Sequence, residues 1–145
     1  MKILIDGDGC PVVNSTVRIA QKYDLECLIL CDTSHLIEMT GAKTLTFSKG
    51  ADSVDFALVS LVRKKDIVVT QDYGLAAMCL SRGAVVISQN GMEYTSDNID
   101  TLLLARHTAK KIRKTGKNLK GPSKRTKEQD KAFEKKLNIL IEKSD

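Results

Sequence analysis

Tryptophan is absent from this chain, and phenylalanine and tyrosine occur only three times each in 145 residues. A core must therefore be built mainly from aliphatic side chains. A chain of this length suits a single domain that buries about two-thirds of its unfolded surface. Long apolar runs are missing too, and none approaches the roughly 18 residues a membrane span needs. The opening "MKILIDGDG" meets Asp6 and Asp8 too early for the apolar stretch of about 7–15 residues in a secretory leader. A cytoplasmic protein is expected. Histidine is confined to His35 and His107, so no His/Cys ligand set for zinc stands out. The four cysteines do not suggest a disulfide framework. Cys27 and Cys31 share the run "ECLILC", and four residues of strand span about 13 Å, well beyond the roughly 7 Å limit for bridged α-carbons. Buried free thiols in a reducing compartment follow.

Acidic residues are missing from Arg106 to Lys127, a stretch that carries ten basic ones. Residues 1–105 hold nine Lys/Arg against thirteen Asp/Glu, whereas residues 106–145 hold fourteen against five. An acidic body (1–105) with a basic helical extension (106–145), packed as one domain, predicts an anionic partner, nucleic acid foremost. Arg106, Lys110, Lys111, Arg113, Lys114 and Lys117, followed by Lys124 and Arg125 in "KGPSKRTK", are the candidate phosphate contacts. No aromatic is interleaved among them, so base stacking by this segment should be weak. Tyr73 is expected to pack rather than stack on a base.

Hydrophobic patterning alternates between two periods. "KILI" (2–5), "ECLILC" (26–31), "TLTF" (44–47), 67–70 and 84–88 read as short strands with continuous rather than alternating apolar character. Helical spacing lies between them. Pro11 suits a first helical turn that runs on towards Tyr23, and "HLIEM" (35–39) reads as a short helix. Val54, Leu58, Leu61 and Val62 form one stripe from Asp52 onward, and Gly83 closes a helix over 73–82. A longer helix is expected over about 98–114, capped by Ser96 or Asp97. Gly116, Gly121 and Pro122 break the chain before a last helix that Thr126 and Gln129 begin with a capping box. Strands of this kind alternating with helices indicate an α/β fold, a mainly parallel sheet covered on both faces.

Sites in such sheets form beyond the carboxyl ends of the strands. Asp6 and Asp8 follow the first strand, Asp72 follows the fourth, and Asp52 and Asp55 open the helix after the third. Three separate stretches can thus bring five carboxylates to one edge. Like charges raise one another's pKa, so the cluster invites a hard cation, Mg²⁺ or Mn²⁺. Each aspartate also has a local explanation: Asp72 and Asp52 as helix caps, Asp6 and Asp8 as turn formers. Cys10 precedes a helix N-terminus without a histidine nearby in sequence, and a packed loop thiol is expected.

"ILIDGDGCPV", "GADSVDFALVSL", "DIVVTQDYGLAAMCLSRGAVVI" and "NIDTLLLARHTAKKIRKTGK…GPSKRT" resemble the YaiI/YqxD family of uncharacterised bacterial proteins over nearly the whole chain. That family in turn looks like a branch of the PIN-like (PIN/NYN) nuclease superfamily. The resemblance implies a three-layer α/β/α body with a metal site at Asp6, Asp52 or Asp55, and Asp72, with Thr70 orienting Asp72 or a water. Asp8 and the turn "DGDGCP" are additional to the usual single aspartate. For the further acidic residue of many PIN domains, Asp97 and Asp100 are the candidates. The expected activity is metal-dependent phosphodiester hydrolysis of RNA or single-stranded nucleic acid, RNA ahead of DNA. Two alternatives stand beside it. One is a nucleic-acid-binding module without catalysis. The other is a small-molecule phosphatase with Asp6 as nucleophile, since "LIDGDGCPV" is similar to the D-x-D-G start of haloacid-dehalogenase phosphatases; their lysine and later acidic pair have no convincing counterpart here.

The basic segment makes a quantitative prediction. If about six of its charges meet single-stranded phosphates, affinity for an oligonucleotide falls by roughly two to three decades between about 50 and 200 mM salt. A binding isotherm series checks this, and an affinity indifferent to salt contradicts it.

Overall fold

Each apolar run of three to seven residues becomes a strand, and each helical stripe covers the sheet beside it. The computed structural model describes residues 1–32, 37–48, 50, 53–114, 116 and 124–144. In chain order the elements are β1 (Lys2–Asp6), α1 (Val13–Lys22), β2 (Glu26–Asp32), β3 (Lys43–Phe47), α2 (Ser53–Leu61), β4 (Ile67–Val69), α3 (Tyr73–Ser81), β5 (Val85–Ile87), β6 (Glu93–Tyr94), α4 (Ile99–Lys114) and α5 (Lys127–Lys143). They form a six-stranded sheet in the order β3-β2-β1-β4-β5-β6. Every neighbouring pair is parallel except β5 with β6.

Alternation along the strands divides the core between the two faces. Ile3, Ile5, Ile29, Ile67, Val69 and Ile87 point to one face, where α1 supplies Val13, Val17 and Ala20 and α5 supplies Phe133, Leu137, Leu140 and Ile141. Leu4, Leu28, Leu30, Val68 and Val86 point to the other, beneath Val54, Leu58 and Val62, the α3 residues Leu75, Ala76 and Cys79, and Ile99 of α4. Both faces are covered, which is why the strands read as unbroken apolar runs. The result is a three-layer α/β/α fold.

The basic extension is built into this core, because α5 lies on the same face as α1. α4 runs through residue 105, so the shift from acidic to basic composition falls inside a helix. The capping box of α5 is present: Thr126 Oγ1 accepts from Gln129 N at 3.3 Å, and Gln129 Oε1 accepts from Thr126 N at 2.9 Å. Among the described residues, no helix is long and apolar enough to cross a membrane.

Four boundaries differ from the patterning. α1 begins at Val13 rather than Pro11, because Pro11 and Val12 form a turn and the Thr16 hydroxyl donates to the Val12 carbonyl at 2.7 Å. Residues 37–39 are not helical; the Thr44 hydroxyl donates to the Ile37 carbonyl and ties this segment to β3. Residues 35 and 36 of that expected helix, and the break at Gly121 and Pro122, lie outside the described residues. Entry into α4 uses neither Ser96 nor Asp97. Thr95 and Asn98 form a reciprocal pair, Asn98 N donating to Thr95 Oγ1 at 3.3 Å and Thr95 N to Asn98 Oδ1 at 2.9 Å. Finally, β6 adds an antiparallel edge that the patterning does not indicate. The loop before it lies against α5 at Gly91 (φ +85°), where a Cβ would stand 2.7 Å from the Ala132 carbonyl oxygen.

At the amino ends of the strands, Asp66 is buried and fully engaged. Its carboxylate accepts from Lys2 Nζ at 2.6 Å, Lys2 N at 3.0 Å and Arg63 N at 2.8 Å. Removing one member of such a pair strands the other charge. Asp66→Ala is therefore expected to lower the unfolding free energy by about 2–4 kcal/mol, read as a lower denaturant midpoint at unchanged slope. A loss below about 0.5 kcal/mol, ordinary for a surface site, would show that the pair is not structural.

Candidate functional site

Strand order reverses at β1: β2 and β3 lie to one side, β4 and β5 to the other. In open α/β sheets the crevice at such a reversal, beyond the carboxyl ends, is where ligands bind. Asp6 is the last residue of β1, and Thr70 follows β4 directly. The Thr70 hydroxyl donates to Asp6 Oδ2 at 2.8 Å and accepts the backbone N–H of Asp72 at 3.0 Å. Asp72 Oδ1 in turn accepts from Leu75 N at 3.1 Å and caps α3. The stretch "TQD" is thus a small rigid unit in which one hydroxyl links two carboxylate-bearing segments.

The loop after β1 is held just as closely. Gly7 N donates to the Leu30 carbonyl at 2.8 Å, and a Cβ on Gly7 would meet Ile29 Cγ2 at 3.0 Å and that carbonyl oxygen at 3.1 Å. Only a residue without a side chain passes there comfortably. The Asp8 carboxylate then accepts from Asp32 N at 3.2 and 3.3 Å. Asp55 sits in the first turn of α2.

Electrostatics tie these carboxylates together. Burial pushes the Asp6 carboxyl up to about 6; the Thr70 hydrogen bond opposes that shift, and the charges of Asp55, Asp72 and Asp8 add to it. Three segments, the loop after β1, the start of α2 and the TQD stretch, therefore act on one carboxyl group. Burial also raises the Cys10 thiol, which fits a packed loop cysteine rather than a nucleophile. Cys27, Cys31 and Cys79 are buried, and all four cysteines are free.

Two openings expose the site. A recess of about 50 Å³ lies among Asp6, Asp8, Cys10, Thr70, Gln71 and Gln89. A wider cleft of about 450 Å³ is lined by Asp6, Asp8, Gln71, Asp72, Tyr73 and Arg106. Arg106 enters from α4, with Nη1 3.6 Å from Asp72 Oδ1. Lys110, Lys111 and Lys114 continue along α4 with exposed side chains, and Lys124 is exposed as well. Arg125 is committed internally: Nε donates to Asp130 Oδ1 at 2.7 Å, Nη1 to Asn90 Oδ1 at 2.7 Å and Nη2 to the Gln89 carbonyl at 2.6 Å. Asp52, Lys117 and the Arg113 side chain lie outside the described residues. Among the described residues, no group of three or more His, Cys, Asp or Glu is placed to hold a metal ion. Asp97 and Asp100 do not appear among the charges that act on Asp6 or among the residues lining either opening.

Sequence patterning does not single out several residues that support this site. Tyr94, on β6, is buried; its phenol donates to the Thr70 carbonyl at 3.2 Å, and its ring meets Tyr73 edge-on at 5.9 Å. Gln71 Oε1 accepts from Gln89 N at 3.2 Å and joins the loops after β4 and β5. Asp32 ends β2 and anchors Asp8. A two-residue strand has no period to detect, so the one available signal for Tyr94 is that it is one of so few aromatics.

Comparison with known proteins agrees with the sequence resemblance. The model of the uncharacterised bacterial YaiI/YqxD family matches residues 4–143, and the chain belongs to that family. A UPF0178 protein of Exiguobacterium sibiricum is 49% identical over the whole of both chains. A UPF0178 protein of Clostridium acetobutylicum is 49% identical over 97% of each. One from Ruminiclostridium cellulolyticum is 46% identical over 97% of this chain and 92% of its own. No solved structure matches.

Asp6 predicts a pH signature. Its carboxyl titrates near 6 when folded and near 3.8 when unfolded, so the folded state holds the extra proton between these values and stability falls as pH rises through that window. At about 1.4 kcal/mol per pH unit the penalty above pH 6 is at most about 3 kcal/mol. Asp6→Asn is expected to be more stable than the parent above about pH 6, and equal to it below about pH 4, in denaturant titrations with EDTA present. A variant less stable at every pH contradicts a cost of burying the Asp6 charge beside other carboxylates.

Proposed function

We propose that this YaiI/YqxD-family protein hydrolyses phosphodiesters of RNA or other single-stranded nucleic acid, using Mg²⁺ or Mn²⁺ held by its strand-end aspartates. The carrying observation is geometric: Asp6 ends the central strand at the strand-order reversal, is held by the Thr70 hydroxyl at 2.8 Å, and opens with Asp8 and Asp72 onto one cleft. The donor set fits a hard cation, because it offers oxygen ligands only and Mg²⁺ needs just one or two carboxylates beside its waters. One or two of Asp6, Asp55 and Asp72 would hold the ion beside its waters, with Asp8 assisting; the sequence adds Asp52 three residues before Asp55. A bound ion of this kind would supply an activated water and stabilisation of charge on the phosphoryl oxygens.

The chain's own groups have separate tasks. Thr70 orients Asp6 through its hydroxyl and holds Asp72 through that residue's N–H. Arg106 stands beside Asp72 with an exposed guanidinium suited to a bidentate phosphate contact. Lys110 and Lys114 follow at helical spacing, about 12 Å of cationic ridge leading from the cleft. The reading treats the fold as PIN-like, from an aspartate after the first strand, acidic residues opening the helix after the third, and Thr-x-Asp after the fourth.

A second reading, nucleic-acid binding without turnover, is favoured by one observation. Asp72 already caps α3 and pairs with Arg106, and among the described residues no three metal-ligating side chains converge.

Cleavage of labelled single-stranded RNA and DNA in Mn²⁺, Mg²⁺ and EDTA separates the two. Asp72→Asn is the informative variant, since asparagine also caps helices. Metal-dependent cleavage is expected in the parent, with a loss in Asp72→Asn beyond the roughly 10- to 100-fold typical of an outer-sphere partner. Intact binding with no cleavage in any metal would overturn the hydrolase in favour of the binding module.

A further inference from the structure

Of the six aromatic side chains, Tyr94 and Phe133 are buried, and Tyr23, Phe47 and Tyr73 are half-buried. Phe56 stands 68% exposed on α2. It lies about 200° around the helix from Val54, away from the stripe that packs on the sheet. Phe56 is also adjacent in sequence to Asp55, and with Met78, 39% exposed on α3, it borders a groove of about 300 Å³. Gly74 lines the same groove, and Asp55, Asp72 and Arg106 form its polar side. Asp72 and Arg106 belong equally to the cleft that contains Asp6. The apolar groove and the carboxylate cleft therefore share a wall.

We propose that the groove of Phe56, Gly74 and Met78 is a subsite for one unpaired nucleobase of a single strand, whose adjoining phosphate lies against Arg106. This rests on the nucleic-acid reading of the neighbouring site and adds to it the selection of unpaired over paired substrate. A nucleobase is flat, uncharged and apolar on its faces, so it tolerates the carboxylates that would repel a bare phosphate. Its faces suit an exposed phenyl ring, and its edge donors suit the aspartates beside it. A base within a duplex is already stacked on both faces and cannot enter. The absence of a side chain at Gly74 keeps the groove open; a Cβ there would lie 3.3 Å from Asp72 Oδ1. A second copy of the chain is a poor occupant, because a stable interface covers about 800 Å² per partner and the apolar lining of this groove is only Phe56, Leu75 and Met78, with Leu75 itself buried.

The test compares binding by fluorescence anisotropy, with EDTA present, of three short labelled RNAs: a single strand, the same strand with one abasic position, and its blunt duplex. Phe56→Ala is expected to weaken single-strand binding roughly 5- to 150-fold, the range for loss of one base stack. Phe56→Trp should restore it, and duplex binding and the unfolding midpoint should be unchanged. The abasic strand should bind the parent more weakly than the intact strand, and Phe56→Ala should abolish that difference. Equal single-strand affinity in parent and Phe56→Ala overturns the subsite. If sedimentation instead shows that Phe56→Ala alters the oligomeric state without altering affinity, the groove is a contact between copies and the subsite is likewise overturned. The two proposals fail separately. Phe56-dependent binding without cleavage in any metal keeps the subsite and removes the hydrolase; metal-dependent cleavage and binding indifferent to Phe56 do the reverse. No binding of any RNA by the parent overturns the subsite, while the cleavage assay in metal alone decides the hydrolase.

Discussion

A carboxyl group shielded from water at the end of a central strand, with three other carboxylates acting on it, is costly to keep. Much of the structure is arranged around keeping Asp6 there. Thr70 contributes a hydrogen bond that offsets part of the cost. Thr70 is itself buried, with its carbonyl held by the Tyr94 phenol. Tyr94 depends on a turn in which Ser88 Oγ accepts from Asn90 N and Met92 N, and the Arg125 guanidinium clamps that turn to the start of α5. A line of contacts thus runs from the basic extension to the acidic site. The residues after 105 do more than add charge: α5 completes one face of the core, α4 brings Arg106 to the cleft, and Arg125 steadies the loop behind Thr70.

Asp66 and Asp6 show what placement does to the same side chain. Asp6 ends β1 and Asp66 immediately precedes β4, so the two stand at opposite ends of neighbouring central strands. Asp66 meets an ammonium group and two backbone N–H donors, so its charge is neutralised. Asp6 meets one hydroxyl and three negative charges. A structural carboxylate is normally surrounded as Asp66 is; the environment of Asp6 is the pattern expected of a site that waits for something positive.

The fold was largely legible in the sequence because its physics is local. Unbroken apolar runs such as "KILI" and "ECLIL" identify strands covered on both faces, and Thr126 with Gln129 announces a helix start. Placing Asp6 and Asp72 on the same sheet edge followed from strand ends alone. What stayed hidden depends on contacts between distant segments. Tyr94 reaches Thr70 from a two-residue strand, and Arg125 reads as one more basic residue until its three partners are seen 5 to 36 positions away. Phe56 reads as one more apolar helix residue, since only the packed structure reveals that it faces away from the core. The α4 cap was misplaced because Asn98 fills the role that Glu or Gln fills in the usual capping pattern.

The most direct test of the central claim is whether a divalent cation relieves the repulsion at Asp6. Unfolding of the parent, Asp6→Asn and Asp72→Asn should be followed near neutral pH as Mn²⁺ is titrated in. Ligand that binds only the folded state adds stability by mass action, about 2.7 kcal/mol at one hundred times the dissociation constant. The account predicts that gain in the parent and little or none in either variant. A parent indifferent to Mn²⁺, or equal stabilisation of all three proteins, would contradict it.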